Sequence, residues 1–270
     1  MRIIVVGPGR AGGSLAVAAD MAGHEIVGII TRRSGDQEVA TRLGVAARLI
    51  GDPMPEADLM VVAVRDDLIR HVAGLLAARN VRAPQAVHLS GLAPTGALGP
   101  LHDVGLATGA FHPLQTFPDW RTGSGSFSGA HVAITAGVEL GKLLEELAGS
   151  LGCRPFRISD EAKPLYHAAS SASANYVLTA LSVAERLYAE AGIDYRVARP
   201  LVEHAVANAF DIGPRSALTG PVARGDSGTV RCQLQAVDAH APHLSETFRD
   251  FARATAAFAG TSEVMEDVLS

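Results

Sequence analysis

Three groups of residues in this 270-residue sequence have the types and spacing to do chemistry. The first is GPGRAGG, which sets Gly7, Gly9 and Gly12 in a GxGxxG spacing directly after the apolar run IIVV. If the run is a strand and the glycines open a helix, the first glycine permits a tight turn and the second lets the backbone approach a pyrophosphate. The third allows close helix packing, and the free N–H groups at the helix start bind phosphate oxygens. Gly7, Pro8, Gly9, Arg10, Ala11 and Gly12 are therefore predicted to hold a dinucleotide. At the end of the next apolar run, where a carboxylate would bind the ribose hydroxyls of NAD, stand Thr31, Arg32, Arg33 and Ser34. Two guanidiniums and two hydroxyls are donors for a 2′-phosphate, which predicts NADP rather than NAD.

The second group falls at the ends of later apolar runs. Ala63, Val64, Arg65 and Asp66 are predicted to meet the nicotinamide half of the dinucleotide, although Asp66 is equally suited to cap the helix it opens. Ser90 and Gly91 follow AVHL, and His112 with Gln115 follows GAF, which brings both pairs to the same carboxyl edge. Gly91 is assigned to the cofactor and Gln115 to the substrate. A histidine there titrates near neutrality and can hydrogen-bond a carbonyl or accept a hydroxyl proton. His112 can equally order a turn before Pro113, and Ser90 can cap the next segment.

The third group is Lys163, His167, Ser170, Ser171 and Asn175, in a run rich in alanine and serine. On an ideal helix His167 lies about 40° and Ser170 about 20° from Lys163, while Asn175 drifts to about 120°. Lys163 is predicted to protonate a carbonyl oxygen as hydride arrives, with His112, His167 and Ser90 assisting. Ser170, Ser171 and Asn175 are assigned to the substrate, as is Arg224 of the turn LTGPVARGD, which can instead pair with Asp226 to pin that turn. Pro164 disfavours helical geometry at Lys163.

The elements that must position these groups are legible as well. Short β-branched runs over 3–6, 25–30, 59–64, 86–89, 106–111 and 131–135 alternate with helical patterns over 10–21, 66–78 and 139–151, which predicts βαβ units on a mostly parallel, doubly wound sheet. After a short strand over 154–158 the signals turn helical: a long helix capped by Asp160 and ended at Gly192, then helices over 195–210, 229–239 and 242–258. The expected division is a Rossmann domain over 1–155 and an all-helical domain over 156–270. The Gly/Ser stretch over 122–129 reads as a mobile loop.

Composition narrows the function classes. A net charge of −5 provides no basic field for nucleic acid, and 48% hydrophobic with 19% charged residues indicates a folded chain. Cys153 and Cys232 lack metal or redox spacing and are expected to be reduced structural thiols, so no metal is predicted. The N-terminal apolar run is too short for a signal peptide or anchor, which points to the cytoplasm and away from membranes. The charge-poor helical stretches 176–183 and 252–258 are hard to bury within so small a domain, which predicts a homodimer.

Together, GPGRAGG, TRRS, AVRDD, FHPLQTF, the 163–175 helix and TGPVARGD resemble a bacterial family of Rossmann-like proteins with a C-terminal domain of unknown function. That family is similar to the 6-phosphogluconate dehydrogenase-like superfamily, which includes ketopantoate reductases, pyrroline-carboxylate reductases and prephenate dehydrogenases. The resemblance spans nearly the whole chain and implies a dimer through the helical domain and NADP(H) on the N-terminal one. Ketopantoate reductases use a Lys acid with an Asn four residues later; Lys163 matches, but His167 stands in the Asn position. Prephenate dehydrogenases contact substrate through a Ser and a His-Pro pair, which Ser90 and His112–Pro113 resemble. The expected function is NADP(H)-dependent hydride transfer to or from a small oxo or hydroxy acid, ketopantoate being the first candidate. A redox sensor that binds NADP(H) without turnover and an oxidative dehydrogenase of prephenate type are the alternatives.

Overall fold

The computed structural model describes residues 1–32, 37–79 and 81–270, so Arg33 and Ser34 lie outside the described residues. The chain divides into two compact units, 1–174 and 175–270.

The first unit is built on an eight-stranded sheet in the order β3-β2-β1-β4-β5-β6-β7-β8. Strands β1 (Arg2–Val6), β2 (Glu25–Thr31), β3 (Ala47–Leu49), β4 (Leu59–Val62), β5 (Gln85–His88) and β6 (Ala107–Leu114) pair in parallel. β7 (His131–Thr135) is antiparallel to β6, and β8 (Arg154–Arg157) is parallel to β7. Alternate strand residues serve opposite faces. Ile3, Val5, Val61, Val87 and Phe111 pack toward helices α1 (Arg10–Met21) and α6 (Val138–Ser150), while Ile4, Val6, Met60, Val62 and Ala86 pack toward α3 (Ile69–Ala77). Both faces are covered, which is why the strands read as unbroken apolar runs. Strand order reverses between β1 and β4, so the loops after those two strands flank the switch point at the carboxyl edge, where ligands of such sheets bind.

Three expectations need correction. β3 is a three-residue edge strand with no periodicity to detect. β6 runs through His112 to Leu114, beyond the end of β5, so the missing N–H of Pro113 deprives β5 of no ladder bond. The 122–129 stretch is packed rather than open. Asp119 caps a short helix, α5 (Trp120–Gly123), by accepting from the N–H groups of Arg121 (2.7 Å) and Thr122 (2.9 Å). Gly123 lies so close to the Ser14 hydroxyl of α1 that no side chain would fit, and Phe127 is buried.

The chain stays helical from Lys163 to Glu190, with α7 (Lys163–Ser171) and α8 (Val177–Glu190) joined by a π-helical turn at Ala172–Tyr176. In the second unit, α9 (Arg199–Ile212) is followed by short helices α10 (Pro214–Ala217) and α11 (Pro221–Arg224). Helices α12 (Ser227–His240), α13 (Ser245–Ala259) and α14 (Ser262–Leu269) enclose a core of Val230, Leu234, Ala256 and Met265. Among the described residues, no helix is long and apolar enough to cross a membrane.

Candidate functional site

The glycine loop after β1 has the geometry that its spacing requires. Gly7 sits at φ +91°, in the left-handed region, and a Cβ there would lie 2.6 Å from the Ala63 carbonyl oxygen. A Cβ on Gly12 would run into the Gly7 carbonyl and come within 2.6 Å of Ala63 Cβ, so helix α1 meets the β4 loop only because this position is bare. Gly9 differs: nothing lies within 4 Å of its would-be Cβ, leaving open space above the start of α1. The intrahelical ladder begins with Gly13 N–H to Gly9 O (2.7 Å), so the N–H groups of Arg10, Ala11 and Gly12 lie ahead of it, and no acidic side chain occupies the first turn.

A cavity of about 490 Å³ opens over this loop, lined by Gly7, Pro8, Gly9, Arg32, Ala63 and Val64 from the predicted set. Glu38 and Val39 of α2 (Glu38–Leu43) and Trp120 of α5 line it as well. The bare Gly9 position, the helix start and Arg32 fit a dinucleotide phosphate chain. Among the described residues, no carboxylate pairs with Arg32. Arg65 points elsewhere, forming an exposed ion pair with Asp67 at 3.0 Å.

The residues expected to react form a separate cluster at the same sheet edge. Lys163 is only 2% exposed, and its ammonium donates to Ala93 O (2.8 Å) and pairs with Asp160 (3.1 Å). Burial lowers the Lys163 pKa, against the pull of Asp160. Asp160 does not cap the helix as expected: it accepts from both the N–H (3.0 Å) and the hydroxyl (2.6 Å) of Thr95. Burial works against its charge, but Thr95 and Lys163 outweigh that and hold the carboxyl below its usual range. Ser90 donates to Asp66 (2.7 Å) and accepts from the N–H groups of Leu92 (3.1 Å) and Ala93 (2.8 Å), so it orders its own turn, and Asp66 is its acceptor rather than a helix cap. His88, a strand residue, is fully buried behind them. Its Nδ1 accepts from Ser90 N–H (3.2 Å), which leaves Nε2–H for Pro94 O (3.3 Å). Burial, then the Lys163 ammonium, lowers its pKa to about 4.

His112 is half-buried at the edge of this cluster. Its ring lies flat on Gly91, where a Cβ would fall 2.7 Å from the imidazole, so glycine is required there by the histidine itself. Nδ1 shares a 2.8 Å hydrogen bond with the Tyr166 hydroxyl, and the His167 ring stands 6.3 Å away. Burial, then His167, lowers the His112 pKa to about 4, and burial raises that of Tyr166.

Other assigned residues are engaged locally. The Ser170 hydroxyl donates to Tyr166 O (2.9 Å), and the Gln115 amide spans Ser126 O (3.3 Å) and Thr116 N–H (2.8 Å). Ser171 is half-buried on α7. In the second unit Asn175 and Arg224 are exposed, and Asp226 caps α12 through Thr229 rather than forming an ion pair with Arg224. Sequence reasoning missed Glu38, Trp120, Tyr166 and His88. Trp120 is the single tryptophan of the chain and Tyr166 the neighbour of a flagged histidine, and these were the signals available.

With the geometry in place, family models match two stretches: the Rossmann-like domain over residues 1–113 and a domain of unknown function, DUF2520, over 130–255. The chain pairs a Rossmann-like domain with a DUF2520 domain. That is the combination its motifs resemble. No curated protein matches it. Among solved structures, a Bacteroides fragilis protein provisionally named an NADP oxidoreductase is 21% identical, with a TM-score of 0.81 over 95% of this chain and 98% of that one. A Thermotoga maritima protein is 20% identical, with a TM-score of 0.67 over 97% and 99%. An imine reductase of Myxococcus stipitatus, in complex with NADP+, is 16% identical, with a TM-score of 0.59 over 100% of both chains. At these identities the likeness is one of fold.

Proposed function

We propose that this protein is an NADP(H)-dependent oxidoreductase that transfers hydride to or from a small oxo or hydroxy acid, and that it works as a homodimer. The observation that carries the reading is the cavity over Gly7–Gly9 with Arg32 at its wall. It joins an anion-binding helix start to a guanidinium at the end of β2, where a 2′-phosphate would be met. The names of the structural neighbours are consistent with it. The dimer reading is supported by the exposed apolar residues of α8 and α9.

When bound, the nicotinamide supplies the hydride. The chain must then provide a proton at the substrate oxygen or nitrogen and hold the substrate still. His112 is neutral at pH 7, so it acts as a neutral donor or a base rather than as an imidazolium acid. In the tautomer whose Nδ1 accepts from the Tyr166 hydroxyl, the Nε2–H of His112 is the proton presented to substrate. Lys163, expected from the sequence to be the acid, is read here as the anchor of the loop after β5, since its buried ammonium directs two of its three N–H groups to Ala93 and Asp160. That same engagement of Lys163 and Ser90 favours a second reading, a protein that binds NADP(H) without turnover.

Titration calorimetry followed by an NADPH-consumption screen over small oxo acids, beginning with ketopantoate, and imines separates the two. NADPH is expected to bind more tightly than NADH, and Arg32→Ala to weaken NADPH roughly 10- to 100-fold, the effect of one or two charge-assisted hydrogen bonds. Once a substrate is found, His112→Ala is expected to lower single-turnover rates on the order of 100-fold or more. Equal affinity for the two cofactors would remove the NADP assignment, and tight binding with no consumption across the screen would leave the sensor.

A further inference from the structure

We infer that Arg121 sets the preference of this pocket for a 2′-phosphorylated dinucleotide, by masking the carboxylate of Glu38. The inference rests on the reading of the cavity as an NADP(H) site.

Glu38 opens α2 and lines the same cavity wall as Arg32. A bare carboxylate in that position would repel a phosphate, as an acidic residue after β2 does in NAD-selective sites. It is not bare. Arg121, 83 residues further along the chain, donates to Glu38 Oε2 at 3.0 Å, which, among the described residues of the wall, leaves the guanidinium of Arg32 as the charge without a carboxylate partner.

Arg121 is also held in place from behind. Its N–H donates to the capping Asp119 (2.7 Å), its guanidinium lies 4.5 Å above the Trp120 ring, and Trp120 itself lines the cavity. α5 is locked onto α1 at the Gly123–Ser14 contact. The packed 119–127 segment thus delivers a cation to the rim of the pocket from outside the stretch matched by the Rossmann-like model, which ends at residue 113. Both partners are largely exposed, with side-chain exposures of 62% and 68%, so the pair adds little to stability. Its consequence is electrostatic: it decides whether a phosphate with nearly two negative charges meets Arg32 alone, among the described residues, or Arg32 beside a bare carboxylate.

The test is calorimetry with adenosine 2′,5′-bisphosphate and 5′-AMP on the full chain, reading the ratio of the two affinities. Arg121→Ala should lower that ratio roughly three- to tenfold at low ionic strength, with the loss shrinking as salt is added. Arg121→Lys should keep the ratio, and the double variant Arg121→Ala, Glu38→Gln should restore it, because no carboxylate then remains to be masked. A merely structural Arg121 would weaken both ligands alike, and that result overturns the proposal. So does a double variant as poor as Arg121→Ala, which would mean that Arg121 touches the phosphate itself. If the wild-type chain does not discriminate between the two ligands, the NADP reading fails and this inference with it. If the wild type discriminates and Arg121→Ala does so equally well, this inference alone fails.

Discussion

The strands of the first unit and the helices that open the second solve the burial problem in opposite ways. In the sheet, Ile4, Val61 and Phe111 have no exposed surface at all, because helices cover both faces. In the second unit α12, α13 and α14 share a core, whereas α9 buries no residue and α8 buries only Val183. Phe210 is 88% exposed, and Leu178, Leu201 and Ile212 are also exposed. Large apolar residues exposed to this degree on two helices call for a partner that covers them. The contrast teaches that the sheet unit is complete within one chain, while α8 and α9 carry the composition of an interior without having one.

The largest effect that can break this comparison comes from two phenylalanines. Phe111→Ala should cost about 3–5 kcal/mol in urea unfolding, the usual result of emptying a packed aromatic site. Phe210→Ala should cost less than about 0.5 kcal/mol in dilute solution, yet weaken self-association measured by sedimentation. If Phe210→Ala is as costly as Phe111→Ala and leaves association untouched, the exposed face is not an interface.

The same contrast explains which parts of the structure were legible in the sequence. Wherever a local pattern met a matching tertiary environment, it could be read directly: β1, the glycine turn and α1, and the alternation of strands and helices as far as β7. Elements defined by distant partners could not. The 122–129 stretch has a loop composition, but its glycine is there because Ser14 leaves room for nothing larger. Nothing local reveals that Ala93 O, 70 residues earlier in the chain, joins the neighbouring Asp160 in holding the Lys163 ammonium. Asp160 and Asp66 looked like helix caps because the competing donors, Thr95 and Ser90, come from another segment. Within the candidate site, the glycine loop and Arg32 were legible and the supporting cast, Glu38, Trp120 and Tyr166, was not.

An intermediate effect follows at Lys163. Lys163→Met removes the donor to a buried carbonyl and the partner of Asp160, and should cost about 2–3 kcal/mol of stability. NADPH affinity should change little, because the cavity over Gly9 does not include this side chain. A variant as stable as wild type but slow in single turnover would return Lys163 to the role of proton donor.

The smallest effect is a pH dependence, and it belongs to the interior of the first unit. His88 has no exposed surface, and its folded pKa of about 4 lies below the unfolded value of 6.5. Between those two values the unfolded chain binds the extra proton and the folded chain does not, so stability rises with pH across the window. The contribution is complete above about pH 6.5 and is lost progressively as pH falls toward the folded value. By about pH 5.5 one such histidine should have cost on the order of 1 kcal/mol. His112, lowered to about 4 as well, adds in the same direction. Trp120 is the single tryptophan and sits in the first unit, so its fluorescence reports the unit that holds the histidines. The urea midpoint read from Trp120 should fall between about pH 7 and pH 5.5, and His88→Gln should shallow that fall because its amide has no proton to take up in this range. If the slope is unchanged in His88→Gln, the acid sensitivity arises elsewhere, and the buried imidazole behind Ser90 and Lys163 is not the group that titrates.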